Sequence, residues 1–181
     1  MSTYQEFLKP VDDGSANHLK NITIPSISLP NQEGNYLCLD RSDTFRMILY
    51  FFPMTGRPDM PLPKDWNKIP GVRGCTLQTC KFRDNYYEII GLNAVPIGIT
   101  TQTFEYNKEM TNRLSVQYDV LSDYNLELKN ALNLPTFSFE NKIYLKRLTI
   151  IVEKKIVKKV FYPINSIDKH INDVLEWLSK N

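Results

Sequence analysis

Met47-Ile48-Leu49-Tyr50-Phe51-Phe52 is an unbroken apolar run that stops at Pro53. A strand with one face in water alternates apolar and polar side chains. This run does not alternate, so it must be covered on both faces, as in a parallel sheet flanked by helices. Val95-Pro96-Ile97-Gly98-Ile99-Thr100 reads as a second buried strand. A chain of 181 residues is long enough to surround such strands with one full core.

The remaining pattern alternates strands with helices. Residues 1–20 are polar and expected to lie at the periphery; 21–181 are expected to form a single domain, with a proline-rich insertion at about 54–73. Ile22-Thr23-Ile24 and Tyr36-Leu37-Cys38-Leu39 read as a hairpin around the turn Asn31–Asn35. Residues 53–74 contain Pro53, Pro58, Pro61, Pro63 and Pro70, which forbid a helix or a central strand there. Loops of this length inside a domain are often functional, and Trp66 is expected to pin this one down. A helix is expected over 76–90, with Leu77, Cys80, Tyr87 and Ile90 on its inner face. Further helices are expected over Glu105–Leu114 and, capped by Asp123, over Tyr124–Leu132, with a short strand at Asp119–Leu121 between them. Arg147–Val152 and Ile156–Phe161 read as a hairpin, and Ser166 as the cap of a last helix with the stripe Ile167, Ile171, Val174, Leu175 and Leu178. The fold class is α/β: a mixed central sheet with helices on both faces and an N-terminal β-hairpin.

Charge and composition exclude several functions. The net charge is only +2, which provides no strong field for nucleic acid or a membrane surface, so neither is an expected partner. No stretch is long and apolar enough to span a bilayer, and Met1–Glu6 lacks the basic start and apolar run of a signal peptide. A cytoplasmic location is expected, where thiols stay reduced. The two histidines, His18 and His170, lie near opposite ends of the chain, and the cysteine spacing fits no zinc pattern. His170 reads as a surface residue, and no glycine-rich phosphate loop is present. No metal or other cofactor is expected.

The chemistry falls to the three cysteines. Cys38 sits in an apolar pattern and reads as core. Cys75 stands at the head of the 76–90 helix, where unpaired N–H groups carry partial positive charge that favours a thiolate. Cys80 is five residues on, a turn of about 140° and a rise of about 7.5 Å. In an intact helix the two thiols therefore point to different faces, beyond the Cα separation of about 4.4–6.8 Å that a disulfide tolerates. A bridge between them requires the first turns to unwind.

Gly74-Cys75-Thr76-Leu77-Gln78-Thr79-Cys80-Lys81-Phe82-Arg83-Asp84 is similar to the Gly-Cys-Thr-x-x-x-Cys-x-x-Arg-Asp segment of peroxiredoxins of the bacterioferritin comigratory protein subgroup. Tyr50-Phe51-Phe52-Pro53, Gly98-Ile99-Thr100 and Leu121-Ser122-Asp123 also resemble segments of that family. The resemblance runs from about Ile22 to the C-terminus. It implies a thioredoxin-like fold and a thiol peroxidase acting on hydrogen peroxide or organic hydroperoxides. It implies that Cys75 is the peroxidatic cysteine, Cys80 the resolving cysteine, and Arg147 the active-site arginine at the start of a late strand. A thioredoxin- or glutathione-type donor would reduce the transient disulfide, and the protein would be a monomer or a homodimer. The family's Pro-x-x-x-Thr-x-x-Cys pattern is broken here: a long stretch is inserted after Pro53, and Val72 stands where the threonine is expected. Thr55 and Arg73 are the candidates to contact substrate in its place.

Two other functions remain open at this level. One is a protein disulfide reductase, for which Leu134-Pro135-Thr136 faintly resembles the proline loop of thioredoxin, although four residues rather than two separate the thiols. The other is a non-catalytic binding domain on the same fold, for which the missing threonine and the long loop speak.

Overall fold

In the computed structural model, which describes residues 9–41 and 45–181, the apolar run is strand β3 (Arg46–Phe51) at the centre of a five-stranded sheet. The labels of its neighbours follow chain order, after the hairpin β1 (Ser28–Pro30) and β2 (Tyr36–Cys38). β4 (Ala94–Thr100) lies parallel to β3 on one side, and β5 (Val120–Ser122) parallel to β4 beyond it. On the other side β8 (Leu148–Glu153) is antiparallel to β3, and β9 (Ile156–Phe161) antiparallel to β8. The sheet order is thus β5-β4-β3-β8-β9.

The lack of alternation in β3 now has its explanation. Successive side chains point to opposite faces, and each face carries its own core. Ile48, Tyr50 and Phe52 join Phe82, Ile89, Met110, Val174 and Leu178 on one face. These come from α1 (Cys75–Asp84), α2 (Tyr86–Gly91), α3 (Phe104–Leu114) and α5 (Ile167–Lys180). Met47, Leu49 and Phe51 join Leu19, Leu29, Leu39, Leu121, Leu128 and Leu145 on the other face, which α4 (Glu127–Leu132) and the β1–β2 hairpin cover. Gly98 on β4 is required by this packing: a Cβ there would stand 2.7 Å from Tyr50 Oη.

The structure corrects several expectations. The first strand of the hairpin is Ser28–Pro30, because Thr23 instead makes a lone bridge to Ile156 at the far edge of the sheet. Ala16 and Leu19 are buried in the core, so the packed domain begins before residue 21. The helix expected over 76–90 breaks at Asn85, whose side-chain amide donates to the Lys81 carbonyl at 2.8 Å and ends α1. Its inner face is Cys75, Gln78, Thr79, Phe82 and Ile89, whereas Leu77 and Tyr87 are 45% and 79% exposed and Cys80 is only half-buried. α4 starts at Glu127, yet Asp123 still caps it, accepting from the N–H groups of Leu128 and Lys129 at 3.0 and 2.8 Å. Cys38 is half-buried rather than core, its thiol donating to Asp40 at 3.0 Å.

One hairpin has no counterpart in the sequence reading: β6 (Thr136–Phe139) and β7 (Lys142–Leu145), turning at Glu140 and Asn141 with φ of 44° and 61°. It anchors the proline-rich loop. Phe137 and Tyr144, cross-strand partners, and Phe139 surround Trp66 at ring-centroid distances of 5.8, 4.8 and 5.4 Å. Val72 joins the same cluster. The loop therefore carries a small core of its own, which fixes the backbone just before Cys75.

Trp66→Ala is expected to lower stability in urea titration by about 3–5 kcal/mol, the usual cost of emptying an aromatic site. Tyr87→Ala, at an exposed position, is expected to change it by less than about 0.5 kcal/mol. Equal effects from the two would show that the loop is not pinned in this way.

Candidate active site

Gly74 and Cys75 make the turn from the loop into α1. Gly74 has φ 95°, and a Cβ on it would stand 3.3 Å from Ile167 of α5, so both the conformation and the close approach call for glycine. Cys75 then takes the first helical position with its sulfur turned inward, 3% exposed. The Sγ lies 3.4 Å from the Val72 carbonyl.

Arg147 immediately precedes β8, and that strand's pairing with β3 brings it to the sulfur. Its Nη2 is 3.2 Å from Cys75 Sγ, and also donates to the carbonyls of Arg73 and Gly71 at 2.9 and 3.3 Å. Its Nη1 donates to Oε1 of Gln78, one turn along α1. Arg147 is 4% exposed, and among the described residues no carboxylate pairs with it. Two cavities, of about 310 and 380 Å³, reach Arg147 from outside; Lys9, Pro10, Ile69 and Gly71 line both.

The structure thus brings Cys75 and Arg147 together. Both thiols of the pair are free, and α1 runs unbroken from Cys75 past Cys80, so they remain on one intact helix. Arg73 meets the arginine through its carbonyl, while its own side chain lies at the exposed rim of the larger cavity. Thr55 is buried and tied to α3, its carbonyl accepting from Tyr106 Oη at 2.6 Å. Gln78 was not singled out in the sequence; its place three residues after Cys75, on the same helical face, is the signal that marks it.

His170, expected at the surface, is 4% exposed beneath the site. Its Nε2 lies 2.9 Å from Thr149 Oγ1, and the rings of Phe161 and Phe82 pack against it. Burial, with Arg147's charge adding, pushes its pKa down to about 4. Tyr50 and Tyr118 lie 3.0 Å apart by their hydroxyls, and Tyr118 donates to the Thr79 carbonyl at 2.9 Å. Burial raises the pKa of both, so they act as neutral ties between α1 and the sheet. Among the described residues no three of His, Cys, Asp and Glu gather as a metal site, and no helix is long and apolar enough to cross a membrane.

Comparison with known proteins agrees with this geometry. The Redoxin family profile matches residues 19–175. The chain is 25% identical over 183 residues to the chloroplastic peroxiredoxin Q of Arabidopsis thaliana, covering 97% of this chain and 77% of that one. It is 23% identical over 154 residues to the putative peroxiredoxin bcp of Coxiella burnetii, covering 83% and 92%. Among solved structures it superposes on peroxidoxin BcpB of Mycobacterium tuberculosis with a TM-score of 0.74 and 22% identity, over 89% of this chain and 96% of the other. The bacterioferritin comigratory protein of Xanthomonas campestris gives a TM-score of 0.70 at 16% identity, over 90% and 96%. Likeness at these identities is likeness of fold, and that fold is the thioredoxin-like one.

A neutral buried histidine makes stability fall in acid. Below about pH 6.5 the unfolded chain takes up a proton that folded His170 refuses until about pH 4. His170 is therefore expected to remove up to about 3 kcal/mol of folding free energy between those limits. His170→Gln should flatten that part of the pH–stability curve; an unchanged slope would show that another group causes it.

Proposed function

Because this chain belongs to the redoxin family, as a peroxiredoxin of the bacterioferritin comigratory protein type and hence a thiol-dependent peroxidase, we propose that Cys75 is the sulfur that attacks the peroxide and Cys80 the thiol that resolves it. The observation that carries this reading is the Arg147 guanidinium 3.2 Å from Cys75 Sγ, buried and, among the described residues, without a carboxylate partner. A buried cation is costly unless it is paired, and an anionic Cys75 sulfur is the counter-charge proposed for this one.

The thiolate attacks one peroxide oxygen and becomes a sulfenic acid, while the other oxygen leaves as hydroxide or alkoxide and is protonated. Arg147 holds both the sulfur and the approaching oxygens. Cys80 then condenses with the sulfenic acid, releasing water and forming the Cys75–Cys80 disulfide. That step requires the start of α1 to unwind, since the intact helix holds the two thiols apart. A dithiol donor of the thioredoxin or glutathione type restores both thiols by exchange. Such a cycle belongs in a reducing compartment, for which we propose the cytoplasm. Arg73, at the rim, and Thr55, at the start of the loop and tied to α3, are the proposed substrate contacts.

Cys75→Ser is expected to abolish peroxide consumption. Cys80→Ser is expected to keep the first oxidation and to accumulate a sulfenic acid that dimedone traps on the Cys75 peptide. Wild-type turnover by Cys75→Ser, or dimedone on Cys38 alone, would contradict the assignment.

A further inference from the structure

We propose that Gln78 is a further catalytic residue: its Nε2 donates a hydrogen bond to the peroxide oxygen on which charge collects as the O–O bond breaks. The inference rests on Cys75 being the attacking sulfur and adds a second donor to that site.

Gln78 follows Cys75 by three residues on α1, so the two side chains are neighbours on the inner face of the helix. Arg147 joins them, one terminal nitrogen at the sulfur and the other at Gln78 Oε1. An arginine offers only donors. The amide must therefore turn its oxygen to the guanidinium, which leaves its NH2 to find another partner. Nε2 meets no acceptor, and it is the one buried side-chain polar atom among the described residues left without a partner. The residue is 1% exposed, so bulk water does not satisfy it. Buried donors in this condition are rare in folded proteins and call for an explanation.

A peroxide supplies what is missing. It brings two acceptor oxygens to the sulfur, beside the guanidinium that the amide already touches. On the loop side of the sulfur, the residue three before it offers no side-chain donor. Val72 has no hydroxyl, and its side chain packs into the Trp66 cluster. Gln78 can fill that role from the helix rather than from the loop.

The step balances without any added reagent. The Cys75 thiolate attacks the terminal oxygen of ROOH; the S–O bond forms, the O–O bond breaks, and the electron pair leaves on RO⁻. RO⁻ takes up the proton that the thiol released, giving ROH. The sulfur is oxidised by two electrons and the peroxide reduced by two. A donor aimed at the departing oxygen is worth more in this transition state than in the ground state, where that oxygen is neutral.

Two variants separate this role from mere support of Arg147. Gln78→Glu keeps an acceptor for the guanidinium and deletes the donor; Gln78→Met deletes both while keeping the shape. For each, two second-order rate constants are read at the Cys75 peptide by mass spectrometry: oxidation by hydrogen peroxide, and alkylation by iodoacetamide, which has no oxygen leaving group. The alkylation rate also reports that the site is intact. The ratio of oxidation to alkylation is expected to fall about tenfold or more in both variants, in line with the loss of one preorganised donor. An unchanged ratio in Gln78→Glu overturns the proposal, and so does a fall confined to Gln78→Met, which would make Gln78 only an arm for Arg147. If wild-type Cys75 is not oxidised at all, the underlying assignment fails, and it does so before either variant is made.

Discussion

The contact of Arg147 with the Cys75 sulfur organises the structure around it. The guanidinium is buried, and its partners among the described residues are two loop carbonyls, one amide oxygen and one sulfur. Removing a cation from water costs several kcal/mol, which only a full set of well-placed acceptors offsets. Those acceptors come from the loop at Gly71 and Arg73, from the first turn of α1, and from the sulfur itself. Two stretches of chain far apart in sequence, residues 71–78 and the start of β8, must therefore converge. β8 brings the arginine through its pairing with β3, and the Trp66 cluster holds the end of the loop where the carbonyls are needed. The long insertion lies outside the sheet and yet sets the geometry of the site.

The same arrangement explains why the two thiols sit apart at rest. α1 is held at its middle and far end: Tyr118 ties the Thr79 carbonyl, Phe82 stacks on Tyr50 at 4.4 Å, and Lys81 pairs with Asp168 of α5 at 2.7 Å. Its first turn is held by the Arg147 network and the bond from Gln78 N–H to the Gly74 carbonyl at 2.8 Å. The proposed chemistry requires that first turn to open while the rest stays docked. The distribution of contacts favours that division, because oxidation of the sulfur changes the partner on which the first turn depends.

Much of this was legible from local pattern. The apolar run of β3 declared a sheet covered on both faces, and Ser166 and the stripe of α5 declared the last helix, where Ser166 Oγ accepts from Lys169 N–H at 3.3 Å. Trp66 was readable as an anchor, although what it packs on was not. The β6–β7 hairpin escaped because its turn is Glu140-Asn141, with both residues in the left-handed region and no glycine to mark it. The inner face of α1 is hidden from an apolar pattern because its buried positions include the polar Gln78 and Thr79 while the apolar Leu77 faces solvent, and the break at Asn85 then shifts α2 relative to α1. His170 looked like a surface residue because a single polar position on an amphipathic helix is usually wet; Thr149, which satisfies it, lies on another element. Gln78 was overlooked for a similar reason: its importance comes from Arg147, 69 residues away, and not from its neighbours in sequence.

The central claim is that Arg147 makes the Cys75 sulfur competent toward peroxide. It is tested most directly by a single-turnover measurement of Cys75 oxidation by hydrogen peroxide in Arg147→Met, a variant that fills the space but carries no charge and no donor. The account predicts a second-order rate constant about 100-fold or more below that of the wild-type chain. A folded variant whose Cys75 is oxidised at the wild-type rate would contradict it.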